Sequence, residues 1–259
     1  VTALTLFRSS LRDSLRPKRL AGAAVMALLP AGAALLWKLT ARRGFEPDVA
    51  YSLIATTMVF GLALVILTVV FCTNVVSQEV EQKTIVYLLT RPVRRWVLLL
   101  ARYVAALAFV VSALWASDLL LAAVVYGPAH LKGTPVGRDL LILPLGAVAY
   151  GALFLLLATL FNKPLVYGLL FAFGYETWVP NLPGSFSKWS LMAYLRVLAP
   201  HTETPKAGFN IGELLQFLAP DKITSGLAWK VILLVPVVCL ITACAVFSRG
   251  QYVPREDTD

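Results

Sequence analysis

Ser77-Gln78-Glu79-Val80-Glu81-Gln82-Lys83-Thr84-Ile85-Val86-Tyr87-Leu88-Leu89-Thr90-Arg91-Pro92-Val93-Arg94-Arg95-Trp96 is a charged island between two long apolar runs. One run leads into it from about Ala50 to Val76, and the other leaves it from Val97 to Tyr126. Each is long enough to cross a bilayer, since about 20 apolar residues in a helix span the hydrocarbon core. A short polar connection between two such runs belongs at a membrane surface. The fold class that follows is an all-α membrane protein.

Composition agrees. The 259 residues are 59% hydrophobic and 14% charged, against about a quarter charged in ordinary soluble domains. Mean hydropathy is +0.77, so lipid is the solvent. The net charge of +9 fits basic loops facing anionic lipid rather than nucleic acid. Cys72, Cys239 and Cys244 lie in apolar runs without metal-ligand or disulfide spacing and read as packing residues. The first apolar run shows no cleavable-signal pattern.

Along the chain, a single transmembrane domain over 1–259 resolves into six transmembrane helices, at 20–39, 50–76, 97–126, 140–161, 165–182 and 228–247. Residues 2–19 read as an N-terminal interfacial helix. Leu4, Phe7, Leu11 and Leu15 form an apolar stripe, with Arg8, Arg12 and Arg16 beside it to reach lipid phosphates. A solvated basic tail is the other reading of the same residues. The fifth run is odd: Gly168 and Gly174 interrupt it, and Glu176, Pro180 and Pro183 arrive early. It therefore reads as a helix that stops inside the membrane or enters at an angle. Residues 183–227 are the long inter-span segment, with amphipathic helices expected around Phe186 to Leu198 and Ile211 to Leu218.

Basic residues set the orientation. With both termini in the cytoplasm, that side holds Arg8, Arg12, Arg16, Lys18, Arg19, Lys83, Arg91, Arg94, Arg95, Arg102, Lys163, Arg249 and Arg255. The short outer loops hold only Lys38, Arg42, Arg43, Lys132 and Arg138. The island is then cytoplasmic and the 183–227 segment lies outside. Within the island, Arg91-Pro92 breaks the helix and makes a hairpin of two unlike halves. Glu79 and Lys83 are four apart in the favourable order. Arg94, Arg95 and Trp96 suit the headgroup layer.

An acidic helix, then Thr84, Leu88-Leu89, Pro92 and the Arg94-Arg95 pair running into the next span, resembles the permeases of ABC transporters of the type-2, export-associated class. Lys83 stands where that family usually has Gly, and Ala101-Arg102 where it has Gly-Lys. The resemblance implies a permease subunit in the cell's inner (cytoplasmic) membrane, paired with a second permease copy in a homodimer or heterodimer. It implies that 77–96 is a cytoplasmic coupling hairpin whose Glu79, Glu81, Gln82, Lys83 and Thr84 dock on an ATP-binding cassette ATPase subunit. It also implies outer re-entrant helices before the last span. The chain contains no Gly-x-x-x-x-Gly-Lys-Ser/Thr loop. Enzymatic activity is therefore expected on the partner, which would carry ATP and Mg, and no cofactor is expected on this chain.

Other candidates are fewer. Asp118 in an apolar run marks either a gate or pathway residue or a group already near the outer interface. Glu176, at the end of the fifth run, reads as a cap or an outer-surface ion pair, or as a pathway residue. His130 and His201 fall in outer loops without a ligand-spaced partner, so no metal site is expected. Gly22, Gly32, Gly61 and Gly151 read as points of close helix packing. No span contains a histidine to activate a serine or threonine, which disfavours an intramembrane enzyme. A secondary transporter driven by an ion gradient is the alternative, and it would need buried titratable groups near the midplane.

Overall fold

The computed structural model describes residues 17–40, 45–81, 95–127, 134–179, 188–199, 201 and 223–249. Its elements are α1 (Pro17–Thr40), α2 (Pro47–Ile54), α3 (Val65–Glu81), α4 (Arg95–Val125), α5 (Val136–Leu160), α6 (Pro164–Leu169), α7 (Leu191–Leu198) and α8 (Ser225–Arg249). The described residues contain helices and no strand. In lipid every backbone N–H and C=O must be satisfied internally, and the helix does this within one segment.

Among the described residues, five helices are long and apolar enough to cross a membrane: Arg19–Thr40, Pro47–Val76, Trp96–Val125, Val136–Leu160 and Ser225–Ser248. The fifth apolar run of the sequence carries a shorter helix, Pro164–Tyr175, which stops before residue 182. Its two six-residue stretches reach only about 18 Å at 1.5 Å per residue, well short of a roughly 30 Å hydrocarbon core. The interfacial helix up to Arg16, the hairpin residues Gln82–Arg94, His130 and the Ile211–Leu218 helix all lie outside the described residues.

Among the described residues, two helices widen into π geometry. Ala55–Leu64 joins α2 to α3 without a break, so one helix runs from Pro47 to Glu81. Thr56 and Thr57 bond the Ser52 and Leu53 carbonyls four residues back, at 2.8 and 2.6 Å. Such back-bonds distort helices. A Cβ on Gly61 would meet the Thr56 carbonyl oxygen at 3.3 Å. The second wide stretch, Leu170–Tyr175, ends where the Glu176 N–H reaches the Phe171 carbonyl, five residues back, at 3.0 Å.

Pro47 and Pro164 open their helices, where the missing N–H costs nothing. Pro30, Pro144 and Pro236 lie inside α1, α5 and α8, as neighbouring helices allow in membranes. α3 and α5 form the centre, with α4 against both; α1 packs on α4, and α8 on α5 and α7. Gly151 of α5 sits where a Cβ would lie 3.1 Å from both Cys72 Sγ and Leu107 Cδ2. Gly146 and Gly168 are similarly close to Leu64 and Val69. The sequence reading holds at Gly151 but not at Gly22 or Gly32, whose added Cβ would meet nothing within 4 Å. Both lie on α1, which flanks the bundle, and leucines such as Leu36 and Leu39 stand exposed on the same helix. Lipid accounts for that surface.

Candidate functional site

A buried polar cluster forms at the end of the bundle opposite to Glu81 and Arg95. Three span termini and one later residue build it. Tyr51 lies near the start of the second span, Asp118 in the last part of α4 and Asp139 in the first turn of α5. The Tyr51 hydroxyl is 3.0 Å from Asp118 Oδ1 and 2.7 Å from Asp139 Oδ2. Tyr51 and Asp118 have no exposure, and Asp139 has 1%. Asp139 belongs where the α5 N-terminus favours a negative charge, its N–H bonding the Pro135 carbonyl at 3.2 Å.

His201 enters from beyond α7. Its Nε2 is 3.5 Å from Asp139 Oδ1, and its side chain is 7% exposed. Its ring sits among Tyr51 and Phe60, with centroids 6.2 and 5.8 Å away. Burial pushes the imidazole below its usual value despite the carboxylate beside it, because a charged ring in this apolar setting would lose its hydration. Around the cluster, the Tyr126 ring lies tilted against Tyr51 with centroids 5.4 Å apart, and its hydroxyl donates to Asp48 Oδ1 at 2.9 Å. Trp115 Nε1 donates to the Leu140 carbonyl at 2.8 Å, tying α4 to α5. Lys38 Nζ donates to the Val124 carbonyl at 2.8 Å, tying α1 to α4.

A second buried knot centres on Glu176. Its Oε1 accepts from the Tyr150 hydroxyl, from Ser190 Oγ at 2.8 Å and from the Met192 N–H at 2.6 Å. Ser190 caps α7 by accepting from the Ala193 N–H at 3.3 Å. The carboxylate therefore sits at the N-terminus of α7, where the helix dipole favours it, and ties that helix to α5 and to the end of the short fifth helix. Asp118 and Glu176 thus enter different clusters. Glu176 is 4% exposed, so its capping is done inside the bundle and not at an outer surface.

The sequence reading singled out Asp118 but not the partners that give it a role. Tyr51, Asp139 and His201 are far apart along the chain, and no spacing rule joins them. A usable signal existed: each of the three is a polar or ionisable residue at or just beyond the end of an apolar run. Among the residues assigned to the island, Glu79 and Glu81 lie in the last turns of α3, and Arg95 opens α4. Trp96 is 43% exposed. Arg8, Arg12, Arg16, Gln82, Lys83, Thr84 and Arg94 lie outside the described residues. No group of three or more His, Cys, Asp or Glu able to hold a metal ion occurs among the described residues.

The sequence itself matches a family model. Residues 16–178 fit the model of the ABC-2 family transporter proteins, well over half the chain. The chain belongs to that family. It is a multi-pass membrane protein and the permease component of an ABC transporter. No curated protein matches the chain significantly. The matched region takes in α1 to α5, the island and the short fifth helix, and stops at Thr177-Trp178. Of the two buried clusters it therefore includes Tyr51, Asp118, Asp139 and Glu176 but not His201 or α7.

Proposed function

We propose that this chain is the membrane-spanning subunit of an ATP-driven exporter, with ATP hydrolysed by a separate ATP-binding cassette subunit. The observation that carries the reading is the continuous helix from Pro47 to Glu81. At 1.5 Å per residue it is roughly 50 Å long, so about 20 Å projects beyond the hydrocarbon core. A helix that crosses the membrane and emerges with Glu79 and Glu81 can carry a push from a soluble partner to the bundle. The absence of a phosphate loop in this chain puts ATP and Mg on that partner.

In this reading Glu79, Glu81, Gln82, Lys83 and Thr84 meet the ATPase in the cytoplasm. Arg94, Arg95 and Trp96 hold the hairpin at the inner membrane surface, as do Arg8, Arg12 and Arg16 at the N-terminal end. Both termini are cytoplasmic, the membrane is the cell's inner membrane, and a second permease copy, identical or related, completes the pathway. The output is substrate translocation or mechanical transmission across the membrane.

Charge reversal tests it. Glu79→Arg with Glu81→Arg should leave membrane insertion intact while lowering co-purification of the ATPase or uncoupling its hydrolysis. Normal assembly and transport in the double variant would remove the docking role. Transport by the reconstituted chain with no ATPase present would replace the whole reading with gradient-driven transport.

A further inference from the structure

The Tyr51 hydroxyl carries one hydrogen, yet two carboxyl oxygens lie within hydrogen-bond distance of it, at 3.0 and 2.7 Å. If both carboxyls were ionised, one of these contacts would bring oxygen lone pairs together without a hydrogen between them. Asp118 and Asp139 have essentially no exposure to relieve that repulsion, and a buried charge without a partner is costly. Asp118 Oδ2 has no hydrogen-bond partner either, and the same holds for both nitrogens of the nine-tenths-buried His201. His201 Nε2 nevertheless points at Asp139 Oδ1 across 3.5 Å. The cluster is therefore short of hydrogen, with more acceptors than donors.

We propose that Tyr51, Asp118, Asp139 and His201 form a proton-binding site in which the two aspartates jointly hold one proton at neutral pH. With that proton in place, one carboxyl donates to the Tyr51 oxygen and Tyr51 donates to the other, so each short contact contains one hydrogen. Removing it leaves two like charges on α4 and α5 across a single hydroxyl, which drives those helix ends apart. Occupancy by a proton thus governs whether the ends of the second span, α4 and α5 stay joined, and whether the residue beyond α7 stays against them. The other groups facing the pair are few. Arg138 stands next to Asp139 and acts on its charge. Tyr126 lies behind Tyr51 with its hydroxyl committed to Asp48. Lys38 of α1 is turned to the Val124 carbonyl. The ligand is the proton itself.

Infrared spectroscopy of the full chain, purified in an ester-free detergent at pH 7, reads this directly. The wild type should show the C=O stretch of a protonated carboxyl, shifted in heavy water. That band should be lost in Asp118→Asn and in Asp139→Asn, because the remaining single carboxylate accepts the Tyr51 hydrogen without needing a second one. Glu176→Gln should keep it. A wild type with no such band overturns the proposal, as does a band that disappears in Glu176→Gln and survives both aspartate changes. Should the asparagine variants fail to fold, the wild type alone decides. The band must vanish in a single step as pH is raised, and a band that persists or was never present at pH 7 refutes the site.

Discussion

At Tyr51 one hydroxyl joins two carboxyl side chains from different helices, and its removal is unlike an ordinary surface change. Tyr51→Phe keeps the ring against Tyr126 and His201 but strips the shared hydrogen-bonding atom from Asp118 and Asp139. Buried polar groups left without a partner cost roughly 1–3 kcal/mol each. A clear drop in the thermal transition in detergent is expected, larger than for an exposed tyrosine such as Tyr167, changed the same way. His201 sets a pH dependence at the same site. Burial holds its imidazole low in the folded chain, so below pH about 6.5 the unfolded chain binds a proton that the folded chain resists. Stability that is fully present above that value should therefore fall as the solution is acidified. Replacing His201 with Phe, which suits the ring environment of Phe60 and Tyr51, should flatten that acid limb in a melting series. An unchanged limb would show that His201 does not set the acid sensitivity.

Elements pack here through small residues at chosen points and through side chains that end helices. Gly151 lets α5 approach Cys72 of α3 and Leu107 and Tyr103 of α4. Gly151→Leu should cost about 1–3 kcal/mol by overpacking, whereas Gly22→Ala, inside α1 with nothing near it, should cost nothing and gain up to about 1 kcal/mol of helix propensity. Thermal melts of the two variants, side by side, check the contrast. Glu176 is the corresponding device at α7. Glu176→Ala leaves the Tyr150 hydroxyl, Ser190 Oγ and the Met192 N–H without their acceptor, and a loss of about 3 kcal/mol or more is expected. Glu176→Gln keeps one acceptor oxygen and should recover most of it. The glycine roles were only partly legible in the sequence. A glycine marks a possible close approach, but the approach exists only where a neighbouring helix turns a side chain toward it. Gly146, which the sequence reading did not single out, and Gly168, which it read as an interruption of the fifth run, meet Leu64, Leu195 and Val69.

For the whole molecule, the second span and its extension run from Tyr51 in the buried cluster to Glu81. If that helix transmits force, a break near its exit should matter more than a break in a loop. Gln78→Pro removes a backbone hydrogen bond and clashes with the preceding turn, at about 3 kcal/mol. It should insert normally yet lose the coupling between ATPase turnover and transport in proteoliposomes. Full coupling in that variant would mean that α3 is not the lever.

The amino-acid sequence alone determined that lipid is the solvent, where the apolar runs begin and end, and that residues 77–96 are a charged stretch between two of them. Those properties are local, set by the transfer free energy of consecutive side chains and by charge order along the chain. The short fifth helix was also legible, because Gly174, Glu176 and Pro180 arrive before a span's length is used. The facing of each helix was not. Spans that are apolar nearly all round carry no periodic stripe to say which side turns inward, so no pattern could tell that Tyr51, Asp118, Asp139 and His201 meet. The π-helical stretches were hidden for a related reason, since an extra residue per turn changes which side chains share a face without changing composition. Only the tertiary packing of α4 and α5 against the second span, with His201 brought in from beyond α7, decided that isolated polar residues at helix ends become one buried site.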